Sequence, residues 1–130
     1  MRGLQERLKA LSSARLQGIG RGIEKESLRV TQDGKLATTP HPRALGAALT
    51  HPHITTDFSE SQLELITGVH RNAEAAEAEL TQVHQAVYRA LGDEMMWVGS
   101  MPCTLPTDDQ IPLGQYGTSN VGQSDRKSVV

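Results

Sequence analysis

Apolar residues change their spacing along this chain, and each change marks an expected element. Leu4, Leu8 and Leu11 recur at four and three with charges between them, the spacing of one helix face, and Gly18 and Gly20 are suited to end that helix. From Gly20 to Val30 the period shortens. Ile23, Leu28 and Val30 flank an extended run, and Asp33-Gly34 is a turn signal that lets Lys35 to Thr39 return as a second short strand. Pro40-His41-Pro42 breaks the chain and sets up a short helix with Pro42 in its first turn and Leu45, Ala48 and Leu49 on its apolar face. His51-Pro52-His53 stops it, and Ile54 to Thr67 is expected to be extended with a loop around Ser59.

The longest expected helix follows. Asn72 is a good N-cap, Glu74 and Glu77 suit the positive end of the helix dipole, and Gly92 suits the C-terminal stop. Ala73, Ala76, Leu80, Val83, Val87 and Leu91 fall on one stripe that would cover one face of a sheet. Met96 to Met101 is an expected strand ended by Pro102, and the chain beyond is loop-like. Hairpins with helices on one side argue an α+β fold with a mostly antiparallel sheet, since parallel units would need more regular alternation. The 130 residues fit one domain, and neither a repeat nor a second domain is visible.

Carboxylates occupy the strand-like runs, where a purely structural strand does not want them. Glu24 and Glu26 are two apart and so share one face of a strand, while Asp57 and Glu64 lie in the second extended run. Neighbouring strands would bring the four together, and like charges repel unless a cation lies among them. Oxygen-only donors suit Mg²⁺ or Mn²⁺, and such clusters serve phosphoryl chemistry. The plainer alternative is that Glu24 and Glu26 flank Lys25 on the solvated face of an edge strand. His51-x-His53 has a spacing that can chelate zinc, but Pro52 favours a loop and no third ligand of the right kind is near in sequence.

Composition removes other classes. A net charge of −2 gives no basic footprint for nucleic acid. Residues 1–16 carry charges and no continuous apolar block, so neither a signal peptide nor a membrane span is expected there. Cys103 is the only cysteine, which rules out an intrachain disulfide and suits a reducing, cytoplasmic setting; after Pro102 it reads as a small buried residue rather than a nucleophile. The loop Gln115 to Gly122 is rich in hydroxyls and glycine and could cradle a polar or anionic ligand through backbone N–H groups, but it lacks Walker-type lysine spacing.

Several motifs in order resemble one family. They are Arg21-Gly22-Ile23-Glu24-Lys25-Glu26-Ser27-Leu28-Arg29-Val30, Leu36-Ala37-Thr38-Thr39-x-His41-Pro42 and Leu45-Gly46-x-Ala48-Leu49-Thr50-His51. Next come Ile54-Thr55-Thr56-Asp57-Phe58-x-Glu60, Leu63-Glu64, Gly92-Asp93-Glu94, Met96-Trp97, Ser100-Met101-Pro102-Cys103 and Gln115-Tyr116-Gly117-Thr118-Ser119-Asn120. Together they resemble the N-terminal part of bacterial glutamate–cysteine ligase. The resemblance implies part of a glutamine synthetase-like curved antiparallel sheet with helices on one side, whose concave face holds Mg²⁺ ions and substrates. It implies ATP-dependent activation of the γ-carboxylate of glutamate as an acyl phosphate, attacked by the amine of cysteine to give γ-glutamylcysteine in the first step of glutathione synthesis. A related carboxylate–amine ligase with another amine acceptor is the main enzyme alternative.

Residue by residue, the resemblance makes Glu24, Glu26 and Glu64 the metal ligands. Asp57 becomes a catalytic acid, either a further ligand or a group orienting the amino acid substrate. Tyr116, Ser119 and Asn120 are placed near the substrates. Members of the family are several times longer than this chain, and residues 123–130 depart from the motif pattern. Residues 1–122 therefore resemble the first part of the catalytic domain, with a tail at 123–130 that suggests truncation or a shifted frame, and the chain alone is expected to lack catalysis.

Overall fold

The computed structural model describes residues 3–11 and 17–115. Its centre is a four-stranded antiparallel sheet in the order β2-β3-β1-β4, formed by β1 (Glu24–Val30), β2 (Ile54–Thr55), β3 (Gln62–Ile66) and β4 (Met95–Met96). The one long helix, α2 (Ala73–Leu91), covers one face, while the short α1 (Leu4–Lys9) has no buried residue. The fold is thus α+β, as the pattern of the chain implies.

Strand alternation decides the two faces. In β3, Leu63 and Leu65 are fully buried, whereas Gln62, Glu64 and Ile66 are half-buried on the other side. Leu63 and Leu65 pack with Ile54, Leu45, Met96 and the Val83, Val87 and Leu91 stripe of α2. Asn72 caps α2 by accepting the Ala75 N–H at 2.8 Å, and Gly92, at φ 63°, ends it. Ala73 falls outside the buried stripe because it sits in the exposed first turn. A smaller cluster of Val30, Leu36 and Cys103 lies at the far end of β1, with Leu28, Trp97 and Ile111 against it. Cys103 is buried as expected, and that burial pushes its thiol pKa up.

Three elements are shorter than expected. The return strand after Asp33-Gly34 shrinks to a single bridge, Val30 to Leu36, because Lys35 and Leu36 also pair with Thr104 and the chain then reaches Pro40. The helix after Pro42 is one 3₁₀ turn, Arg43–Leu45, stopped by Gly46 at φ 81°; Leu45 is buried but Leu49 is 54% exposed. The strand expected over Met96 to Met101 stops at Met96. Trp97 adds one hydrogen bond to Leu28 O, and its indole N–H then donates to Met101 O across a turn. The Leu4, Leu8 and Leu11 face is solvent-exposed, so amphipathic spacing there did not signal a core element.

One buried charge joins these segments. Arg29 has no exposed side-chain surface, pairs with Glu94 at 2.5 Å, and donates to Thr39 Oγ1, Thr39 O and Glu60 O at 2.6, 2.5 and 2.8 Å. Removing one partner of such a pair leaves the other uncompensated at a cost of about 3–5 kcal/mol. Arg29→Met is therefore expected to lower the stability measured by urea denaturation by about that amount. An unchanged midpoint would show that the pair is dispensable.

Candidate active site

β1 and β3 run antiparallel with Glu26 opposite Glu64 and Glu24 opposite Ile66. Because Glu24, Glu26 and Glu64 all lie on the side away from Leu63 and Leu65, they share the sheet face that α2 does not cover. β2 adds Thr55 beside Glu64 on the same row, and Asp57 follows two residues later in the turn that joins β2 to β3. Like charges directly opposite one another across two strands are destabilising.

Glu64 registers that repulsion. Its pKa is raised first by desolvation and then by the negative charges of Glu24, Glu26 and Asp57. Glu24, Glu26 and Asp57 are thus near enough to Glu64 for their charge to act on it. They do not form a closed cage: among the described residues no three His, Cys, Asp or Glu side chains converge in a way that could hold a metal ion as they stand. Beside Glu26 the same face opens into a cleft of about 290 Å³ bounded by Leu28, Gln62, Trp97 and Met101.

The solvated edge-strand alternative is met in part: Glu24 and Glu26 are exposed, and β1 gains its second neighbour, β4, only at Arg29 and Val30. Lys25 points to the opposite face, where its ammonium donates to the Ser27 hydroxyl, so it does not lie between Glu24 and Glu26. The zinc alternative is not favoured. His51 Nδ1 accepts the backbone N–H groups of His53 and Ile54 at 3.1 and 3.0 Å, and His53 Nδ1 lies 3.0 Å from Ile66 O. The Nδ1 atom of each ring is thus engaged at the entry to β2.

Glu60 was missed by spacing, although it stands within one of the family-like motifs. It is 95% buried, and its carboxylate accepts the N–H of His41 at 2.7 Å and that of Gln115 at 2.6 Å. The turn around Asp57 is thereby bound to the segment that leads into Tyr116, with help from Ser59 Oγ to Pro112 O at 2.8 Å and Gly114 N to Phe58 O at 2.8 Å. Tyr116, Ser119 and Asn120 lie outside the described residues. No periodicity reveals a residue such as Glu60, because its role is set by loops distant in sequence.

The antiparallel sheet thus presents Glu24, Glu26 and Glu64 on its open face, with Asp57 in the turn beside them. The glutamate–cysteine ligase family model matches residues 5–128, and the chain belongs to that family. The glutamate–cysteine ligase of Alcanivorax borkumensis is 54% identical over 127 residues, covering 95% of this chain and 24% of the relative. That of Erwinia tasmaniensis is 57% identical over 108 residues, covering 83% and 21%. Among solved structures, Francisella tularensis glutamate–cysteine ligase in complex with AMP superposes with a TM-score of 0.76 at 43% identity, over 81% of this chain and 21% of that one. A bifunctional glutathione synthetase from Pasteurella multocida gives 0.70 at 47% identity, over 72% and 13%. The chain thus spans about a quarter or less of the length of these relatives.

The raised pKa of Glu64 has a consequence for stability. A carboxyl whose folded pKa lies above its unfolded one binds its proton more tightly in the folded state, so stability falls as pH rises from the unfolded value through the folded one. Without divalent ions, Glu64→Gln should melt higher than the parent at pH 7, and the gap should close below the ordinary glutamate pKa. Equal melting temperatures at pH 7 would show that the four acids do not strain the fold.

Proposed function

We propose that this chain supplies part of the cation- and substrate-binding wall of an ATP-dependent ligase that joins the γ-carboxylate of glutamate to the amine of cysteine. The observation that carries the reading is the burden on Glu64, whose carboxyl is pushed up by its own desolvation and by three neighbouring acids on an open sheet face. Family membership then selects glutamate–cysteine ligation from the chemistries that such a face could serve.

The donor set fits Mg²⁺ or Mn²⁺: hard oxygen donors, no thiol, and a negative field that only a cation would relieve. Glu24, Glu26 and Glu64 would hold the ions, with Asp57 as a further ligand or as the group that orients the amino acid. Bound ions would neutralise the phosphate oxygens of ATP while the γ-carboxylate is activated. The chain's own contribution is to keep the acids on one rigid face and, through Glu60, to tie the Asp57 turn to the segment before Tyr116. Tyr116, Ser119 and Asn120 would then contact the substrates. The AMP bound to the Francisella relative is consistent with ATP as co-substrate. Among the described residues no helix is long and apolar enough to cross a membrane, and a cytoplasmic setting accords with the lone buried thiol.

Titration with Mn²⁺, followed by its electron paramagnetic resonance signal, tests the wall directly. Saturable binding should weaken by about tenfold or more in Glu24→Gln and in Glu64→Gln, since each removes a charged ligand. Binding unchanged in both variants would remove the acids from the metal site. Phosphate release from ATP that depends on both glutamate and cysteine, in a polypeptide carrying this segment within the full length of its relatives, tests the ligation itself.

A further inference from the structure

The opposite side of β1 carries a second arrangement that the acidic wall does not use. Between Lys25 and the flank of α2 lies a groove of about 490 Å³, with Leu80 in its floor and Thr81, His84, Tyr88 and Arg89 along the helix. The His84 and Tyr88 rings lie 5.7 Å apart, tilted by 34°, and both line the groove. Lys25 is half-buried, and its one hydrogen bond among the described residues goes to a neutral hydroxyl, Ser27 Oγ. Neither Lys25 nor Arg89 forms an ion pair with any described carboxylate, although Glu77 lines the same groove. Burial first, and then the charge of Lys25, lower the pKa of His84, and Glu77 offsets only one of the two cationic side chains, Lys25 and Arg89, that line the groove.

We propose that this groove binds a small anion, a phosphate or a carboxylate, that carries a flat apolar group. The anion would lie between Lys25 and Arg89, where charge-assisted hydrogen bonds replace water lost from the half-buried ammonium. The flat group would lie against Leu80 and the His84 and Tyr88 rings, where its burial adds affinity. The groove opens on the face away from Glu24, Glu26 and Glu64, so it is a site separate from the proposed cation wall and does not depend on it.

The 130-residue chain can be titrated with phenyl phosphate, benzoate and inorganic phosphate while the backbone amides of β1 and α2 are followed by NMR. At least one aryl anion should bind saturably with shifts centred on residues 25, 84, 88 and 89, and the tighter of the two identifies the head group. Phenyl phosphate should exceed inorganic phosphate by about tenfold if the ring is buried. Arg89→Gln should weaken aryl anion binding by about fivefold or more while leaving Mn²⁺ binding unchanged. Tyr88→Ala should bring the phenyl phosphate to phosphate ratio towards one. Both residues are exposed on α2, so the variants are expected to fold. The absence of any saturable shift overturns the proposal, as does binding that is equally strong in Arg89→Gln.

Discussion

The buried guanidinium of Arg29 is the constraint on which the rest depends. An unpaired charge with no solvent access would be prohibitive, so the chain around it must supply partners. Glu94 comes from the turn after α2, Thr39 from the segment beyond the β1 turn, and the Glu60 carbonyl from the loop between β2 and β3. None of these groups is close to Arg29 in sequence. Together they fix where α2 ends, how the loops close over the sheet, and which way β1 faces.

That last effect links packing to the candidate site. Side chains alternate along a strand, so placing Arg29 on the helix side places Lys25 and Ser27 there too and sends Glu24, Glu26 and Leu28 to the open side. A slip of one residue would bury Glu24 and Glu26 against Leu63 and Leu65 and expel Arg29 to solvent. The exposed acids are therefore held in register by a buried charge of opposite sign on the other face. The repulsion felt at Glu64 costs stability locally, and the apolar contacts of Leu63, Leu65, Val83 and Val87 behind it offset that cost.

What was legible in the sequence follows the same division. α2 was readable end to end, because its cap, its stripe and its terminal glycine are all local signals. The acids were readable as a set, because alternation within β1 is local and β3 brings its own acid to the same row. The short strands were readable only in place: Ile54 and Met96 fall in runs expected to be extended, but the two-residue lengths of β2 and β4 are set by pairing with β3 and β1. Arg29, Glu60 and Glu94 were invisible as a network for the same reason: each is polar and unremarkable in its own window, and only tertiary closure gives it a partner. The leucine face of α1 shows the converse, a clear local pattern with no buried surface to meet it.

Glu24-Lys25-Glu26 looks self-compensating when read along the chain, with a cation between two anions. In the sheet it separates into opposites. The two acids join Glu64 on one face and add to the rise that burial gives its pKa, while the lysine joins His84 and Arg89 on the other and adds to the fall that burial gives that of His84. The open face thus gathers acids, while on the helix side Glu77 stands beside Lys25 and Arg89 and offsets only one of them. A strand built only for structure would gain by avoiding both arrangements, through a neutral residue at position 25 and polar uncharged residues at 24 and 26. Splitting the triplet across the strand therefore leaves the acids able to meet cations from solution on one face and leaves Lys25 and Arg89 able to meet an anion on the other.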